Sequence, residues 1–345
     1  MAEIVSKTTI RDVARTAGVS VGSVSRALNG GKNVSARVAR DVAAAAEKLG
    51  YQPDFQARSL RTRTTGMVGC LVSDLANPLY ASIVQAAEAR LREAGLLMVV
   101  ANTANDSARE RAMVAAFRSR RLDGMLVAPG SDENDRAWRD LATGGAPVVI
   151  LDRDVPHEEH SPWPAVLVDH REGARTATRY LIGLGHRRIA LLTPGARMRP
   201  GRERIAGFKS AFAEADIDPA GALVCLQESS MDFAQGDALE LLRRDRRPTA
   251  IIALGTRILA GALRAARDLG LSVPRDLSVI AVGDTDLAAV HTPAITALRW
   301  SLEDVGRAAA ELLLQRLRGT GEGQSRALLP VDLVLRESCA PPTAT

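Results

Sequence analysis

Between residues 18 and 29 the chain reads GVSVGSVSRALN, and its polar side chains are of a restricted kind: Ser20, Ser23, Ser25, Arg26 and Asn29. Hydroxyls and amides hydrogen-bond to phosphate oxygens, and a guanidinium can span O6 and N7 of a guanine. The residues between them, Val21 and Gly22, are small enough to let a helix settle into a major groove about 12 Å wide. A second set stands far from the first, after the short apolar runs of the rest of the chain: Asp74, Asn77 and Tyr80, then Asp152 and Arg153, then Arg204, Met231, Gly255, Thr256, Thr285 and Asp286. Hydrogen-bonding groups placed there suit a small polar ligand. On pattern alone, the first set also fits a surface helix of an unrelated three-helix bundle. Asp74, Asn77 and Asp286 equally fit loop caps.

Other chemistries find no support. HEEH at 157–160 lacks the spacing of a zinc-protease helix and is flanked by Pro156, Ser161 and Pro162, which suits a loop. His186, in LGHRRIALL, precedes an apolar run and reads as structural. No glycine-rich loop carries a phosphate-binding lysine, and no Ser/His/Asp set can be assigned. No cofactor, metal or catalytic residue is therefore expected. The three cysteines, Cys70, Cys225 and Cys339, lie far apart, which suits a reducing cytoplasm rather than a disulfide framework. No run of about 18 apolar residues is present to span a membrane, and the start, MAEIVSKTTIRDVA, has no signal-type core.

Three helices must position the first set. Thr9 with Asp12 is a variant of the capping box, and Ile10, Val13, Ala14 and Ala17 then fall on one face. Gly18 ends that helix, Ser20 caps the next, and Val24, Ala27 and Leu28 form its buried side. Asn29-Gly30-Gly31 breaks it, and Ser35 starts a longer helix that runs to Gly50. Two short helices joined at a glycine and covered by a third make a helix-turn-helix. Ala14 is the small residue at the crossing, and Gly18 supplies the turn. Charge agrees: residues 1–65 hold 11 Lys/Arg against 5 Asp/Glu, whereas the remaining 280 hold 34 against 35. A basic module on a near-neutral body implies an anionic partner, nucleic acid first and a membrane surface second.

The stretch TIRDVARTAGVSVGSVSRALNGGKNVSARVARDVAAAAEKLGYQP resembles the DNA-binding head of the lactose-repressor/galactose-repressor family. The likeness continues through a two-lobed sensor body to near residue 336. It implies that Val21, Gly22 and Arg26 face base edges, with Thr9, Ser20, Ser23, Ser25, Asn29, Asn33 and Ser35 around them. Valine offers apolar contact and glycine none, so direct readout leans on Arg26. Residues 53–66, PDFQARSLRTRTTG, are similar to the family's hinge helix: Asp54 can cap it, and Ala57 and Leu60 lie on one side. A leucine at Leu60 would wedge into the minor groove, with Arg58, Arg61 and Arg63 on the backbone. A helix of about eight residues is unstable alone, so it would order only on DNA beside a second subunit.

From Met67 onward, short apolar runs alternate with helical segments, which predicts an α/β body of parallel sheets covered on both faces. The expected runs are MVGCLVSD, LLMVVAN, DGMLVAP, PVVILDRD, AVLVD, RIALLTPG, GALVCL, TAIIAL, LSVIAVGD, TALRW and ALLPVDLVL. Helices are expected at 78–95, near 106–120 and 134–142, through 181, near 202–215, 233–244 and 257–269, and at 302–317. So many units exceed one sheet, so two lobes follow, and the fold resembles the periplasmic sugar-binding architecture, as the repressor family's sensor domain does. The resulting domain plan is a head at 1–52, a hinge at 53–66 and a body at 67–345. ELLLQRL reads as the core face of a body helix rather than a zipper, and no tetramerising helix is expected after APPTAT.

Parallel sheets bind ligands beyond the carboxyl ends of their strands, which puts the second residue set at a cleft between lobes. The family match supports an effector role for Arg204. Sugar-binding members often carry Asn-Asp where this chain has Gly255-Thr256, and a carboxylate where it has Thr285 in GDTD. Met231 matches a stacking aromatic. The effector is thus expected to be a sugar, a sugar acid or another metabolite, with Arg153 and Arg204 favouring an anion. Together these readings predict a cytoplasmic, homodimeric repressor of a palindromic operator, with no membrane partner. A sugar-modifying α/β enzyme and a sugar-binding protein are the rivals, and neither explains the basic head.

Overall fold

A computed structural model of the chain describes residues 8–28, 34–51, 64–130, 145–154, 163–195, 197–320 and 325–343. It forms two compact units, Met1–Thr65 and Gly66–Thr345. The first holds α1 (Ile10–Ala17), α2 (Val21–Leu28) and α3 (Ala36–Lys48). Thr9 donates both its backbone N–H (3.0 Å) and its hydroxyl (2.7 Å) to the Asp12 carboxylate, which fixes the start of α1. Gly18 ends α1 at φ 65°, a conformation that costs a side-chain-bearing residue about 1–2 kcal/mol. Val13, Ala14, Val24, Val42, Ala45 and Ala46 close the small core, and Ala14 is buried. The Ser35 hydroxyl accepts from the Val38 N–H and caps α3.

The second unit has two lobes. Its first lobe is built from β1 (Met67–Val72), α4 (Pro78–Glu93), β2 (Leu97–Asn102), α5 (Ser107–Ser119), β3 (Gly124–Val127), β4 (Val148–Leu151) and β5 (Ala165–Val168). The chain then crosses to the second lobe with α6 (His170–Gly183), β6 (Ile189–Pro194), α7 (Arg199–Glu214), β7 (Ala222–Gln227), α8 (Gln235–Leu242), β8 (Ala250–Leu254), α9 (Arg257–Asp268), β9 (Ser278–Val282), α10 (Asp286–Val290) and β10 (Thr296–Arg299). It crosses back as α11 (Leu302–Leu317), which packs on α4 and on β3, β4 and β5. Two last strands follow, β11 (Arg326–Leu329) and β12 (Asp332–Val334). The sheet orders are β11-β5-β4-β3-β1-β2 and β12-β10-β9-β8-β6-β7.

Strands β3, β4, β5, β6, β8 and β9 are buried along their whole length, as strands covered on both faces must be. Most expected elements stand where the periodicity put them. The exceptions have physical causes. ALLPVDLVL reads as one run, yet Pro330 has no N–H for a ladder and divides it. Its first half pairs parallel with β5 in one lobe, and its second half pairs antiparallel with β10 in the other. Helix α10 is one turn after a threonine and shows no periodicity to read. The helix expected near 134–142 and the HEEH loop lie outside the described residues. Leu313 and Leu314 of ELLLQRL are core residues of α11, as anticipated.

Candidate functional site

In the head, Val21, Gly22 and Arg26 are exposed on α2, while Val24 is fully buried beneath them. The Ser20 hydroxyl accepts from the Ser23 N–H at 3.1 Å and stands 3.0 Å from the Ser23 hydroxyl. The Arg26 guanidinium lies back along the helix and donates to the Ser23 Oγ at 3.4 Å. It passes over Gly22, where an added Cβ would meet Arg26 Nη1 at 3.5 Å, ordinary contact. The exposed face of α2 therefore carries small side chains and one long cation folded back over Gly22. Thr9 turns its hydroxyl to Asp12 and Ser35 turns its own to α3, so both are structural caps in this state. Ser25 is half-buried on α2. Asn29, Asn33, Ala57 and Leu60 lie outside the described residues.

In the body, the strand ends converge on a cleft between the lobes. Its volume is about 60 Å³, counted over the positions a water molecule's centre can take. Of the expected residues, Asn77, Tyr80, Asp152, Arg153 and Arg204 line it. Asn77 caps α4 by accepting from the Leu79 N–H at 3.0 Å, and its amide donates to Ser230 Oγ across the cleft at 3.3 Å. Tyr80 is buried, with the Arg153 guanidinium 5.5 Å from its ring centre. Arg153 also donates to the Pro129 carbonyl (3.2 Å) and to the Asp152 carbonyl (2.9 Å).

Asp152 is the hub. Its backbone is left-handed at φ 48°, a strained choice for a residue other than glycine. One carboxylate oxygen accepts from the Val168 N–H (3.0 Å) and Arg199 (3.3 Å), and the other faces His170 Nε2 at 2.7 Å. Asp152 follows a first-lobe strand, while His170 and Arg199 belong to α6 and α7 of the second lobe. Burial pushes the His170 imidazole down to about 4 against the pull of Asp152, and Arg204 and Arg199 push the same way as burial. Neutral His170 then donates from Nε2 to Asp152 and accepts at Nδ1 from Arg204, 3.4 Å away. Burial works against the Asp152 anion, but His170, Arg153 and Arg199 outweigh it and hold the carboxyl below its ordinary range. The Trp300 ring meets His170 edge-on, 5.4 Å between centres.

The other expected effector residues stand elsewhere. Asp74 accepts from the Ala76 N–H and caps its own turn. Met231, Gly255, Thr256, Thr285 and Asp286 surround a separate recess, beside Pro78 of the first lobe. There the Thr256 hydroxyl donates to the Ser230 carbonyl and the Thr285 hydroxyl to the Gly255 carbonyl. A Cβ on Gly255 would sit 2.4 Å from the Gly283 carbonyl oxygen, so no side chain fits there. Residues not anticipated also line the cleft: Ser73, Asn105, His170, Ser230 and Trp300 among them. His170 and Trp300 do follow strands, but they belong to the crossings between lobes, which the sequence does not mark as such. His186, read as structural, holds the chain near Ala340 to Thr249 and Ser278.

A basic helix-turn-helix head with a two-lobed, cleft-bearing α/β body defines the class of ligand-responsive DNA-binding regulators. The comparisons agree. Residues 9–54 match the model of bacterial regulatory proteins, lacI family, and residues 178–339 match that of a periplasmic binding protein-like domain. The chain is 30% identical to the HTH-type transcriptional regulator DegA of Bacillus subtilis (strain 168), over 97% of this chain and 99% of that relative. It is 33% identical to the HTH-type transcriptional repressor PurR of Pectobacterium carotovorum, over 96% and 97%. A lac repressor dimer bound to operator and an anti-inducer superposes with a TM-score of 0.85 at 28% identity, covering 97% of this chain and all of that one. The chain therefore belongs to the lacI family of bacterial regulatory proteins. It is a DNA-binding transcriptional regulator, not an enzyme, and the rival enzyme reading is set aside.

Proposed function

We propose that the chain is a homodimeric repressor whose grip on a palindromic operator is set by a small molecule held between its lobes. In this reading the head spans 1–52, the hinge 53–66 and the body 67–345. Arg26 reads a base edge, and Ser20, Val21, Gly22, Ser23 and Ser25 bring α2 against the groove. Thr9, Asn29, Asn33 and Ser35 serve the phosphates, and Ala57 and Leu60 the minor groove. Asn77, Tyr80, Asp152, Arg153 and Arg204 bind the effector, and the protein works in the cytoplasm. Asp74, Met231, Gly255, Thr256, Thr285 and Asp286 shape the loops around the cleft. The edge strands β2 and β7 support a dimer, because Leu97, Val99, Val100 and Leu226 are exposed on them. Among the described residues no helix is long and apolar enough to cross a membrane.

One observation carries the effector reading: Asp152 of the first lobe holds His170 and Arg199 of the second through its carboxylate, at the wall of the cleft. Whatever enters the cleft acts on the contact that fixes lobe spacing. The DNA reading is tested by gel retardation of a palindromic fragment from the chain's own genomic neighbourhood. Wild type retards it with a steep loss in salt. Arg26→Ala loses about 1–3 kcal/mol on the best site and little on random DNA. Equal loss on both would make Arg26 a phosphate contact only.

A further inference from the structure

Arg204 is the unusual group in the cleft. It is 6% exposed, yet among the described residues its guanidinium makes one hydrogen bond, the 3.4 Å contact to His170, and its Nε has no partner. A guanidinium carries five N–H donors. Burying a cation with most of them unmet is costly unless a partner arrives. Burial pushes Arg204 down to about 10, which still leaves it charged near neutrality. Its neighbours cannot supply the missing charge. Asp152 is the one carboxylate among the described residues lining the cleft, and it is already engaged by His170, Val168 and Arg199. Arg153 adds a second buried cation. The described walls thus carry an excess of positive charge, with unused donors on Arg204.

The remaining walls limit what carries the anion. Leu79, Tyr80, Ile83, Leu151, Leu254 and Trp300 supply mostly apolar surface. At roughly 10–15 Å³ per water-sized position, about 60 Å³ holds a compact molecule. A sugar ring asks for a hydrogen-bond partner at each hydroxyl, but of the polar side chains lining the cleft Asn77, Asp152 and Arg153 are already engaged with the protein itself.

We propose that the effector is a small organic anion, one carboxylate or phosphate on a compact and largely apolar body, with its acidic oxygens on Arg204 and its body between Tyr80 and Trp300. This inference rests on the cleft being the effector site. It also implies that Arg204 destabilises the empty protein and is retained for binding.

The test uses the full chain, with thermal shift and calorimetry. The probes are benzoate, hexanoate and phenyl phosphate, the uncharged benzamide and hexanamide, and glucose and ribose. At least one acid is expected to raise the melting temperature, and its amide to bind about 100-fold more weakly. Preference for the carboxylates or for phenyl phosphate tells the two acidic groups apart. Arg204→Met is expected to abolish acid binding while raising the ligand-free melting temperature by about 2–4 °C. Arg204→Lys, which keeps the charge and loses the fork, retains weaker binding. The inference is overturned if no acid binds, if an amide binds as tightly as its acid, or if only the sugars bind. Sugar binding lost in Asp152→Asn would overturn the anion while leaving the cleft as effector site. Failure of the wild type to retard operator DNA would instead sink the regulatory reading.

Discussion

His170 shows how much a single buried side chain can report. Enclosed by Asp152, Arg204, Arg199 and Trp300, it is held neutral, with its affinity for a proton lowered to a pKa of about 4. In the unfolded chain it titrates near 6.5. As pH falls below about 6.5, the unfolded state takes up the proton first, so stability falls until the folded pKa near 4 is passed. Above about 6.5 the group contributes no pH dependence. Burial also lowers the pKa of His186, which adds a slope of the same sign. Comparing His170→Asn with wild type isolates the first contribution. The variant is expected to lose up to about 3 kcal/mol of the wild-type fall between pH 7 and pH 4, read from denaturant midpoints. Parallel stability curves for the two proteins would mean that folding leaves the His170 pKa where it stands in the unfolded chain.

Helix α2 is where an element's own stability and its task oppose each other. Gly22 lies in its first turn, where an added Cβ would meet the Arg26 guanidinium and Ser20 hydroxyl only at ordinary contact distance, and where alanine would stabilise the helix by about 0.5–1 kcal/mol. Gly22→Ala is therefore expected to raise the melting temperature of the head. It is also expected to weaken operator binding by about 1 kcal/mol, because a methyl on the exposed face holds the helix off the bases. Higher stability with unchanged binding would show that this face does not meet DNA. The head was legible in the sequence because its signals are local: Thr9 with Asp12, Gly18 at a positive φ, and apolar residues at helical spacing. The sheets were legible as strands but not as an order, since pairing joins residues far apart. Nothing local says that β11 and β12, three residues apart, belong to different sheets. The cleft was half legible for the same reason. Strand-end reasoning found Asp152, Arg153 and Arg204. It also named Thr256, Thr285 and Gly255, whose polar atoms turn out to hold one loop to the next.

At the scale of the molecule, the chain passes between the lobes three times: after β5, after β10 and between β11 and β12. Crossings of this kind permit the lobes to rock without separating, and the contacts across the cleft then decide the closed population. Asp152 supplies more deeply enclosed contacts, with His170 at 2.7 Å and Arg199 at 3.3 Å, than the more exposed Arg202–Asp154 pair at 2.7 Å. Asp152→Asn keeps the shape but removes the charge that faces half-buried Arg199, and adds to the excess of positive charge already around buried Arg204. A loss of about 3–5 kcal/mol from the closed arrangement is expected. A tenfold change in operator occupancy needs a bias of only about 1.4 kcal/mol between states. The substitution therefore exceeds what an effector must supply, and the switch should stand fixed in its open position. Retardation of operator DNA by Asp152→Asn is expected to give one affinity, with or without any ligand that shifts the wild type. A full wild-type response in the variant would move control of lobe closure away from this carboxylate, to the Asn77–Ser230 contact or to the dimer edges.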